Sequence, residues 1–376
     1  MAKFVRKFTK RIFIISNIIV VIFFLLACAN FYLSPQQWWF IAIMGLAFPY
    51  LLILVLAFVV FWAVFRSRWI FLPLAVLILG FTNIRALIGF NFFSRFNKQK
   101  EISSIRVLTW NVSWFDEQTK EDKRKKSNRK AMLQFVREQQ ADVLCFQEFL
   151  EKDLAGSSYN NVEEITAMGY PYNYWVGDYI KRQGKLVAGA AIFSKYPIIG
   201  SYKTQYPGSR KERAAESLIS VDLDVHGKTI RVFTTHLQSI LLKKDDYRNL
   251  EIIRNADDSL MQASRSIVRK LRTGYYYRAN QAKMARHQLD ESPYPEIICG
   301  DFNDVPNSYT YATIKGNRQD AFIEQGSGIG RTFSNVAPTL RIDYILVSKK
   351  LRVIQSKRIV LPYSDHFPVL TDLQWR

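Results

Sequence analysis

Hydrophobic and polar positions divide the chain into two unlike parts that meet near residue 100. Three long apolar runs fill the first part: Ile12–Leu33, Trp38–Phe65 and Trp69–Phe93. Each is long enough to cross a hydrocarbon core of about 30 Å as a helix, although Asn83 and Arg85 interrupt the third. A cleaved signal peptide would explain only the first run. We therefore predict a membrane region over residues 1–96, with two to three transmembrane helices at about 12–33, 38–65 and 69–93.

Beyond a polar linker at residues 97–104, the pattern changes to short apolar segments bounded by turn-forming residues. Such segments, rich in β-branched and aromatic side chains, are typical of strands. They are Ile105–Trp110, Asp142–Phe146, Val187–Phe193, Ser217–Leu223, Thr229–Thr235, Glu296–Cys299, Ile342–Val347 and Val369–Leu373. The fourth and fifth segments flank His226-Gly227, which predicts a hairpin.

Helical periodicity interrupts these strands in two places. Apolar residues recur at helical spacing within Lys130–Gln139 and again from Ile252 to Leu271. The second stretch belongs to a helical insertion that we place at about residues 238–280. Many strands with a few helices between them predict an α/β domain with packed sheets over residues 105–376.

Charge sharpens the membrane interpretation. The first hundred residues contain eleven Lys and Arg and no Asp or Glu, whereas the rest holds 41 basic and 32 acidic residues. Basic residues precede the first run, and Arg66 and Arg68 separate the second from the third, but Asn30–Gln37 carries no charge. The positive-inside rule puts the N-terminus and Arg66–Arg68 in the cytoplasm.

The side on which the soluble domain lies depends on the third run. With three crossings, we expect the domain on the periplasmic side of a bacterial inner membrane. If the third run only lies in the interface, the domain is cytoplasmic. A transporter is a poor interpretation, because three helices with a single intramembrane charge, Arg85, offer little for a transport pathway.

Polar side chains suited to phosphate chemistry stand at the ends of the predicted strands. They are Asn111, Glu148, His236, Asp301, Asn303, Asp343, Asp365 and His366. Each one alone is explained as a turn former or a solvated strand end. The whole set is harder to explain in that way, because hydrolysis of a phosphate ester needs several kinds of group at one place.

The set contains a candidate for each kind of group. A hard divalent cation needs carboxylate oxygens, which Glu148, Asp301 and Asp365 supply. Two histidines, His236 and His366, supply groups that move protons or stabilise charge.

The remaining members of the set have supporting roles. Asn111 and Asn303 add neutral polar contacts that do not repel a phosphate. Asp343 is a carboxylate suited to orienting an imidazole, as a second carboxylate does in catalytic triads.

These motifs resemble those of the endonuclease/exonuclease/phosphatase superfamily, which includes deoxyribonuclease I, neutral sphingomyelinases and inositol-polyphosphate 5-phosphatases. The resemblance runs from Ile105 to the C-terminus in the family's order. It is carried by Thr109-Trp110-Asn111, Gln147-Glu148, Gly300-Asp301-Phe302-Asn303, Arg341-Ile342-Asp343-Tyr344 and Ser364-Asp365-His366. It implies a two-layer β-sandwich flanked by helices, with the active site at one edge.

The resemblance also implies a Mg²⁺ cofactor, with Mn²⁺ as the alternative. Glu148 would be the main metal ligand, with Asn111 and Asp365 in or near the metal shell. Asn111 and Asn303 would contact the substrate phosphate.

Catalytic roles follow from the same resemblance. Asp301 would position or activate the attacking water, and His236 would bind phosphate or assist the leaving group. His366, paired with Asp343, would stabilise the transition state or act as a base.

The chain departs from the family pattern in places. Ser113 stands two residues after Asn111, where several nucleases carry an acidic residue, so the number of metal ions stays open. Ile342-Asp343-Tyr344 lacks the Cys-Asp-Arg pattern of the inositol phosphatases, which argues against that branch. Arg213, ahead of the hairpin, is either a phosphate contact or an ordinary surface residue.

The predicted activity is a membrane-anchored, metal-dependent phosphodiesterase of nuclease type. The alternatives are a phosphoesterase acting on a lipid or small molecule and, in a different class, a catalytically silent binding module. The bilayer is the other expected partner, and the sequence implies no protein partner.

Overall fold

The computed structural model describes residues 2–116, 122–151, 160–181, 186–207, 215–240 and 260–376. The membrane region opens with two long helices, α1 (Ala2–Ala29) and α2 (Pro35–Val64). Both are long and apolar enough to cross a membrane. They form an antiparallel pair, because the rings of Phe13 and Phe61 lie 4.5 Å apart near one end and those of Phe24 and Phe48 lie 5.3 Å apart near the other.

The third apolar run is not the single helix that we predicted. A 3₁₀ turn at Arg68–Ile70 leads into α3 (Phe71–Leu79), and α4 (Phe81–Leu87) follows at an angle of 63°. The bend lies at Gly80, where a Cβ atom would come within 2.7 Å of the Phe24 ring.

A buried asparagine in α4 explains the change of direction. The Asn83 side-chain amide donates to the Cys28 carbonyl oxygen at 3.1 Å and to Asn307 Oδ1, in the soluble domain, at 2.6 Å. Leaving such an amide unpaired in apolar surroundings would cost free energy. The run therefore turns towards the soluble domain and ends in a short strand, β1 (Gly89–Phe90).

Two sheets form the soluble domain. The further strands in chain order are β2 (Ile105–Asn111), β3 (Val143–Glu151), β4 (Tyr172–Lys181), β5 (Leu186–Ser194), β6 (Ile198–Thr204), β7 (Glu216–Val225), β8 (Lys228–His236), β9 (Glu296–Asp301), β10 (Gln319–Asp320), β11 (Ser327–Gly328), β12 (Asp343–Val347), β13 (Leu351–Arg358) and β14 (Val369–Trp375). Within the described chain, one six-stranded sheet has the order β13-β14-β2-β3-β5-β4 and the other has β10-β12-β9-β8-β7-β6, while β1 pairs with β11.

Helices cover the outer faces of the two sheets. They are α5 (Asp122–Gln139), α6 (Asn161–Ala167), α7 (Leu260–Asp290), α8 (Tyr309–Lys315) and α9 (Ala321–Gln325). Helix α5 packs on the first sheet, where the Phe135 ring lies 5.5 Å from that of Trp110. Residues of α7 and α8 share an apolar cluster with the outer face of the second sheet.

Alternation along the strands explains how both faces of each sheet are buried. In β2, Ile105 and Val107 join the central core between the sheets, whereas Leu108 and Trp110 face the cluster that contains α5. Successive side chains of a strand point to opposite faces, so a fully apolar strand suits a sheet covered on both sides. The predicted two-layer sandwich flanked by helices is confirmed.

Of the predictions for single elements, one is confirmed and others differ from the structure. The predicted hairpin is confirmed as β7 and β8 joined at His226-Gly227, whereas β4, β6 and β13 were not predicted. Helix α7 continues to Asp290, beyond the predicted end of the insertion near residue 280. Residues 241–259 of that insertion, with the start of its predicted helical stretch, and Arg213 lie outside the described residues.

Candidate active site

The predicted site residues meet at one edge of the sandwich because neighbouring strands end there in register. Asp301 at the end of β9 pairs with His236 of parallel β8 on one side and with Asp343 of antiparallel β12 on the other. In the other sheet, Asn111 of β2 pairs with Gln147 of β3, directly before Glu148. Strand register therefore places a histidine and two carboxylates side by side in one sheet, and Asn111 next to the residue before Glu148 in the other.

Close backbone packing fixes the position of Asp301. Gly300 has φ +139°, and a Cβ atom there would lie 2.0 Å from the Thr235 carbonyl oxygen, so only glycine fits. After the strand, the Asn303 N–H donates to Asp301 Oδ1 at 2.8 Å. The carboxylate is thus held by its own turn, with Oδ2 facing the site.

The first histidine, His366, is held by the predicted carboxylate partner. Its Nδ1 lies 3.1 and 3.0 Å from the two carboxylate oxygens of Asp343, and its Nε2 lies 3.6 Å from Asp301 Oδ2. Burial opposes the imidazolium charge, but the carboxylates of Asp343 and Asp301 outweigh it and hold the pKa of His366 well above its usual range. The raised pKa favours the protonated form of His366, and Asp343 fixes the orientation of its ring.

The second histidine, His236, has looser surroundings. Its Nε2 lies 3.6 Å from the same Asp301 Oδ2, while its Nδ1 lies 3.8 Å from Glu216 Oε1 and 4.0 Å from Glu148 Oε1. Burial again opposes the charge, but the surrounding carboxylates, Glu216 first, raise the pKa of His236 to about 9. Two imidazole Nε2 atoms thus face one carboxylate oxygen.

Asn111 links the carboxylates of the two sheets. Its Nδ2 lies 3.1 Å from Asp301 Oδ2 and 3.3 Å from Glu148 Oε1, while its Oδ1 accepts the Ser113 N–H at 3.0 Å. The Ser364 hydroxyl donates to the Asn111 carbonyl oxygen at 2.8 Å, which brings the loop carrying half-buried Asp365 to the same place.

The donor set fits a hard divalent cation. Glu148 is the accessible carboxylate, with 23 % of its side chain exposed, whereas the side chains of Asp301 and Glu216 are buried. Glu216 Oε2 has no hydrogen-bond partner. Carboxylates outnumber imidazoles here, and oxygen donors are those that Mg²⁺ and Mn²⁺ prefer.

One group of three could by spacing hold an ion, and it differs from the predicted ligand set. Among the described residues it comprises Asp301, Asp343 and His366, whose ligand atoms lie within 4.8 Å of one another. Hydrogen bonds between His366 Nδ1 and the Asp343 carboxylate already occupy several of the atoms that could bind an ion. Glu148 lies outside that group and is the more exposed carboxylate, with the Asn111 amide nitrogen 3.3 Å from its Oε1.

Most predicted residues are brought together, but the Asn303 side chain faces away from the carboxylates. Asn303 has φ +52°, and its Nδ2 donates to the Leu237 carbonyl oxygen at 3.0 Å. A phosphate contact through this amide would require that bond to be shared or exchanged.

Sequence reasoning missed one carboxylate at the site. Glu216 is fully buried, and its Oε1 accepts the N–H of Glu148 at 2.9 Å, where Glu148 has φ +51°. Glu216 thereby fixes the backbone of the predicted metal ligand. The hairpin turn gave no signal for it, because counting back from His226-Gly227 pairs His236 with Ser217, and only a register shift between Glu216 and Ile219 places Glu216 opposite His236.

A second missed residue is Thr332. Its hydroxyl oxygen accepts the N–H groups of Ile342 and Asp343 at 2.9 and 3.0 Å, so it anchors the start of β12. No local pattern singles out this threonine, which lies eleven residues before Asp343.

Comparison with solved structures supports the observed fold. The human Nocturnin catalytic domain, solved with a bound sulfate anion, has 17 % sequence identity and a TM-score of 0.52, covering 77 % of this chain and 99 % of that one. Endonuclease/exonuclease/phosphatase proteins from Beutenbergia cavernae (20 % identity, 73 % of this chain and 72 % of that one) and Bacteroides vulgatus (19 %, 73 % and 99 %) both have TM-scores of 0.50. At these identities the likeness shows the fold alone.

Sequence comparisons add the family. No curated protein sequence matches the chain. A family model described as a domain of unknown function matches residues 10–87, within the membrane region. The model of the endonuclease/exonuclease/phosphatase family matches residues 108–366, more than half of the chain. The chain therefore belongs to the endonuclease/exonuclease/phosphatase family.

Proposed function

We propose that this protein is a membrane-anchored, divalent-metal-dependent hydrolase of phosphate esters. One observation carries the proposal: His236 Nε2 and His366 Nε2 each lie 3.6 Å from the same oxygen of Asp301. Two imidazole groups around one carboxylate, beside accessible Glu148, suit a reaction in which negative charge grows on a phosphoryl group. Family membership agrees, since members are generally phosphoesterases.

Glu148 would hold the metal ion, with Asn111 and Asp365 completing its protein ligands. A bound Mg²⁺ or Mn²⁺ supplies Lewis acidity to a phosphoryl oxygen. Glu216 keeps Glu148 in place through the backbone hydrogen bond of 2.9 Å.

The chain's own residues account for the other needs of in-line attack. Asp301 orients the attacking water, and His366, fixed by Asp343, stabilises the charge that develops on the phosphoryl oxygens. His236 lies on the other side of Asp301 and assists the leaving oxygen.

Phosphodiesters are the proposed substrate class, and the sequence favours nuclease-type activity. The motif Arg341-Ile342-Asp343-Tyr344 and the basic composition are the observations behind that preference. A lipid or small phosphorylated molecule is the alternative, which the membrane anchor favours.

The contacts between the two regions support an extracytoplasmic catalytic domain. The domain binds the end of the helical pair that contains Asn30 and Gln36: Asn30 Nδ2 donates to the Asn307 carbonyl oxygen at 2.7 Å, and Gln36 Nε2 donates to Asn280 Oδ1 at 2.6 Å. The basic N-terminus and Arg66–Arg68 lie at the opposite end of the helices. Since basic residues favour the cytoplasmic side, the domain lies outside the bacterial inner membrane, on its periplasmic side.

Hydrolysis of a soluble chromogenic diester tests the activity. Purified full-length protein in detergent should release nitrophenol from bis(p-nitrophenyl) phosphate with Mg²⁺ or Mn²⁺, and a chelator should stop it. Asp301→Asn should lower the rate by about 100-fold or more, because it removes the charge that both histidines face. Asp224→Asn, in the hairpin turn, is the matched control and should leave the rate unchanged.

Two results would contradict the proposal. One is a rate that Asp301→Asn leaves unchanged, and the other is absence of metal-dependent hydrolysis of any phosphate ester. Either would favour the silent binding module.

A further inference from the structure

Three segments that carry or support site residues also contact the membrane region a few residues away. The first runs from Asp301 to Asn307. Asn307 accepts from the Asn30 and Asn83 amides at 2.7 and 2.6 Å, and its Nδ2 donates to the Ala27 carbonyl oxygen at 2.9 Å. Six residues of chain span at most about 20 Å, so Asp301 lies within that distance of the helix ends.

The second segment is shorter. The Arg341 guanidinium donates to the Ala86 carbonyl oxygen at the end of α4 and to Asp320 Oδ2 at 2.7 Å. Asp343, which orients His366, follows only two residues later, a backbone reach of about 7 Å. The carboxylate behind the catalytic imidazole is therefore close to the last turn of the membrane region.

The third segment is the chain from β11 to Phe333. Ile329 packs against the apolar cluster of the membrane helices, and the Phe333 ring lies 4.9 Å from the His366 ring. Since Phe333 is the fourth residue after Ile329, the distance between their Cα atoms is at most about 14 Å. The active-site edge thus lies at the membrane-proximal side of the domain.

The loops beside the site expose apolar and basic side chains together. Val336 is 57 % exposed and follows Ser334, whose N–H donates to the Asp365 carbonyl oxygen at 2.8 Å. Val360 is 62 % exposed and follows Ile359, whose N–H donates to the Pro368 carbonyl oxygen at 3.0 Å.

Two arginines lie near these valines. The Arg358 guanidinium lies 5.5 Å from the Phe367 ring centroid, and Arg331 Nε donates to the Phe333 carbonyl oxygen at 2.6 Å. Both arginines are half-buried, in loops or strand ends that adjoin His366. Apolar and cationic groups side by side match the boundary between acyl chains and phosphate.

Exposed aromatic residues mark the same end of the membrane region. Tyr32 and Trp38, between and at the start of the two long helices, are 73 % and 42 % exposed. Phe92 and Phe93, two and three residues after the end of β1, are 62 % and 97 % exposed, and Arg95 lies two residues further on. Aromatic and basic side chains of this kind favour the interface of a bilayer.

Building on the proposed hydrolase, we propose that its substrate is the phosphodiester of a membrane glycerophospholipid, taken from the leaflet on which the domain sits. Attack by water on the phosphorus breaks one phosphorus–oxygen ester bond, and the leaving oxygen takes a proton. The products are an alcohol and a phosphate monoester, and no oxidant or other co-reactant is needed. A nucleic acid would instead have to enter between the site and the bilayer.

Reconstitution with three substrates tests the inference. Full-length protein with Mg²⁺ is assayed on vesicles of phosphatidylglycerol and phosphatidylethanolamine, on single-stranded and plasmid DNA, and on bis(p-nitrophenyl) phosphate. Hydrolysis of vesicle lipid should exceed DNA cleavage per phosphate by at least about tenfold.

The exposed valines supply the discriminating variant. Val336→Asp with Val360→Asp should lower vesicle hydrolysis by at least about tenfold, because both apolar contacts with the bilayer are lost. The rate on the soluble diester should change by less than about twofold, since the valines touch no reacting group. Tyr172→Asp with Ile199→Asp, also exposed but in edge strands β4 and β6, should change neither rate.

Each contrary outcome has a distinct meaning. DNA cleavage without lipid hydrolysis, or equal losses on vesicles and the soluble diester in the valine variant, overturns the lipid substrate and leaves the hydrolase. Hydrolysis of the soluble diester alone also overturns it, in favour of a small-molecule substrate. Inactivity on all three overturns the hydrolase itself.

Discussion

The two histidine–carboxylate pairs differ in how tightly each imidazole is held. Nδ1 of His366 lies 3.0–3.1 Å from the Asp343 oxygens, whereas Nδ1 of His236 lies 3.8 Å from Glu216. Yet both Nε2 atoms are 3.6 Å from Asp301 Oδ2. The pair at His366 fits a group whose position must not change, and the pair at His236 leaves room for adjustment as substrate binds or leaves.

Removing the tightly held imidazole should have the largest effect. His366→Ala should lower kcat on bis(p-nitrophenyl) phosphate by about 1,000-fold, because the charge-stabilising cation is lost. His287→Ala is the control, since His287 has 68 % of its side chain exposed. A loss no greater in His366→Ala than in His236→Ala would remove the distinction between the two pairs.

Replacing the carboxylate partner of each histidine tests the difference between the two pairs further. Asp343→Asn should lower kcat by about 100-fold, because the hydrogen bond that fixes His366 weakens while the imidazole stays. Steady-state kinetics with circular dichroism as a folding check measures this. If Asp343→Asn were as active as wild type, the orientation of His366 would not matter.

The pair of His236 and Glu216 should be less sensitive to substitution of its carboxylate. Glu216→Ala should lower activity by about tenfold, chiefly by weakening metal binding, because it removes the oxygen that accepts the Glu148 N–H. The rate should recover partly at raised Mg²⁺ concentration. Activity that stays low at every Mg²⁺ concentration would instead show that Glu216 acts through His236 and not through the metal ligand Glu148.

The smallest effect on catalysis is expected at the junction with the membrane region. Asn307→Ala removes the buried side chain that accepts from the Asn83 amide and donates to the Ala27 carbonyl oxygen, which should lower the free energy of unfolding by about 2 kcal/mol. Thermal unfolding in detergent should show this as a lower Tm, with the rate on the soluble diester nearly unchanged. Asn317→Ala, at an exposed position, is the control. Equal Tm values for the two variants would contradict the claim that Asn307 stabilises the contact between the soluble domain and the membrane region.

The strand pattern predicted packed sheets, and the resemblance to the family's motifs predicted the two-layer sandwich with its site at one edge. Strand ends place side chains by register, so Asn111, His236 and Asp301 meet once the strands are recognised. Glu216 was missed because a carboxylate at a strand start is ordinary until the hairpin register pairs it with His236.

The third apolar run shows where sequence reasoning ends. Its composition suits a single crossing helix, but Asn83 is paired with Asn307, more than two hundred residues away. A contact that distant has no local signal, so neither the bend at Gly80 nor the docking of the domain follows from hydropathy.

Direct binding of Mn²⁺ to the full-length protein, followed by electron paramagnetic resonance of the free ion, tests the central claim that Glu148 holds a divalent cation. The account predicts one saturable site whose affinity falls at least about tenfold in Glu148→Gln and is unchanged in Glu163→Gln, an exposed glutamate of α6. Equal Mn²⁺ affinity in wild type and Glu148→Gln, or no saturable binding in wild type, would contradict it.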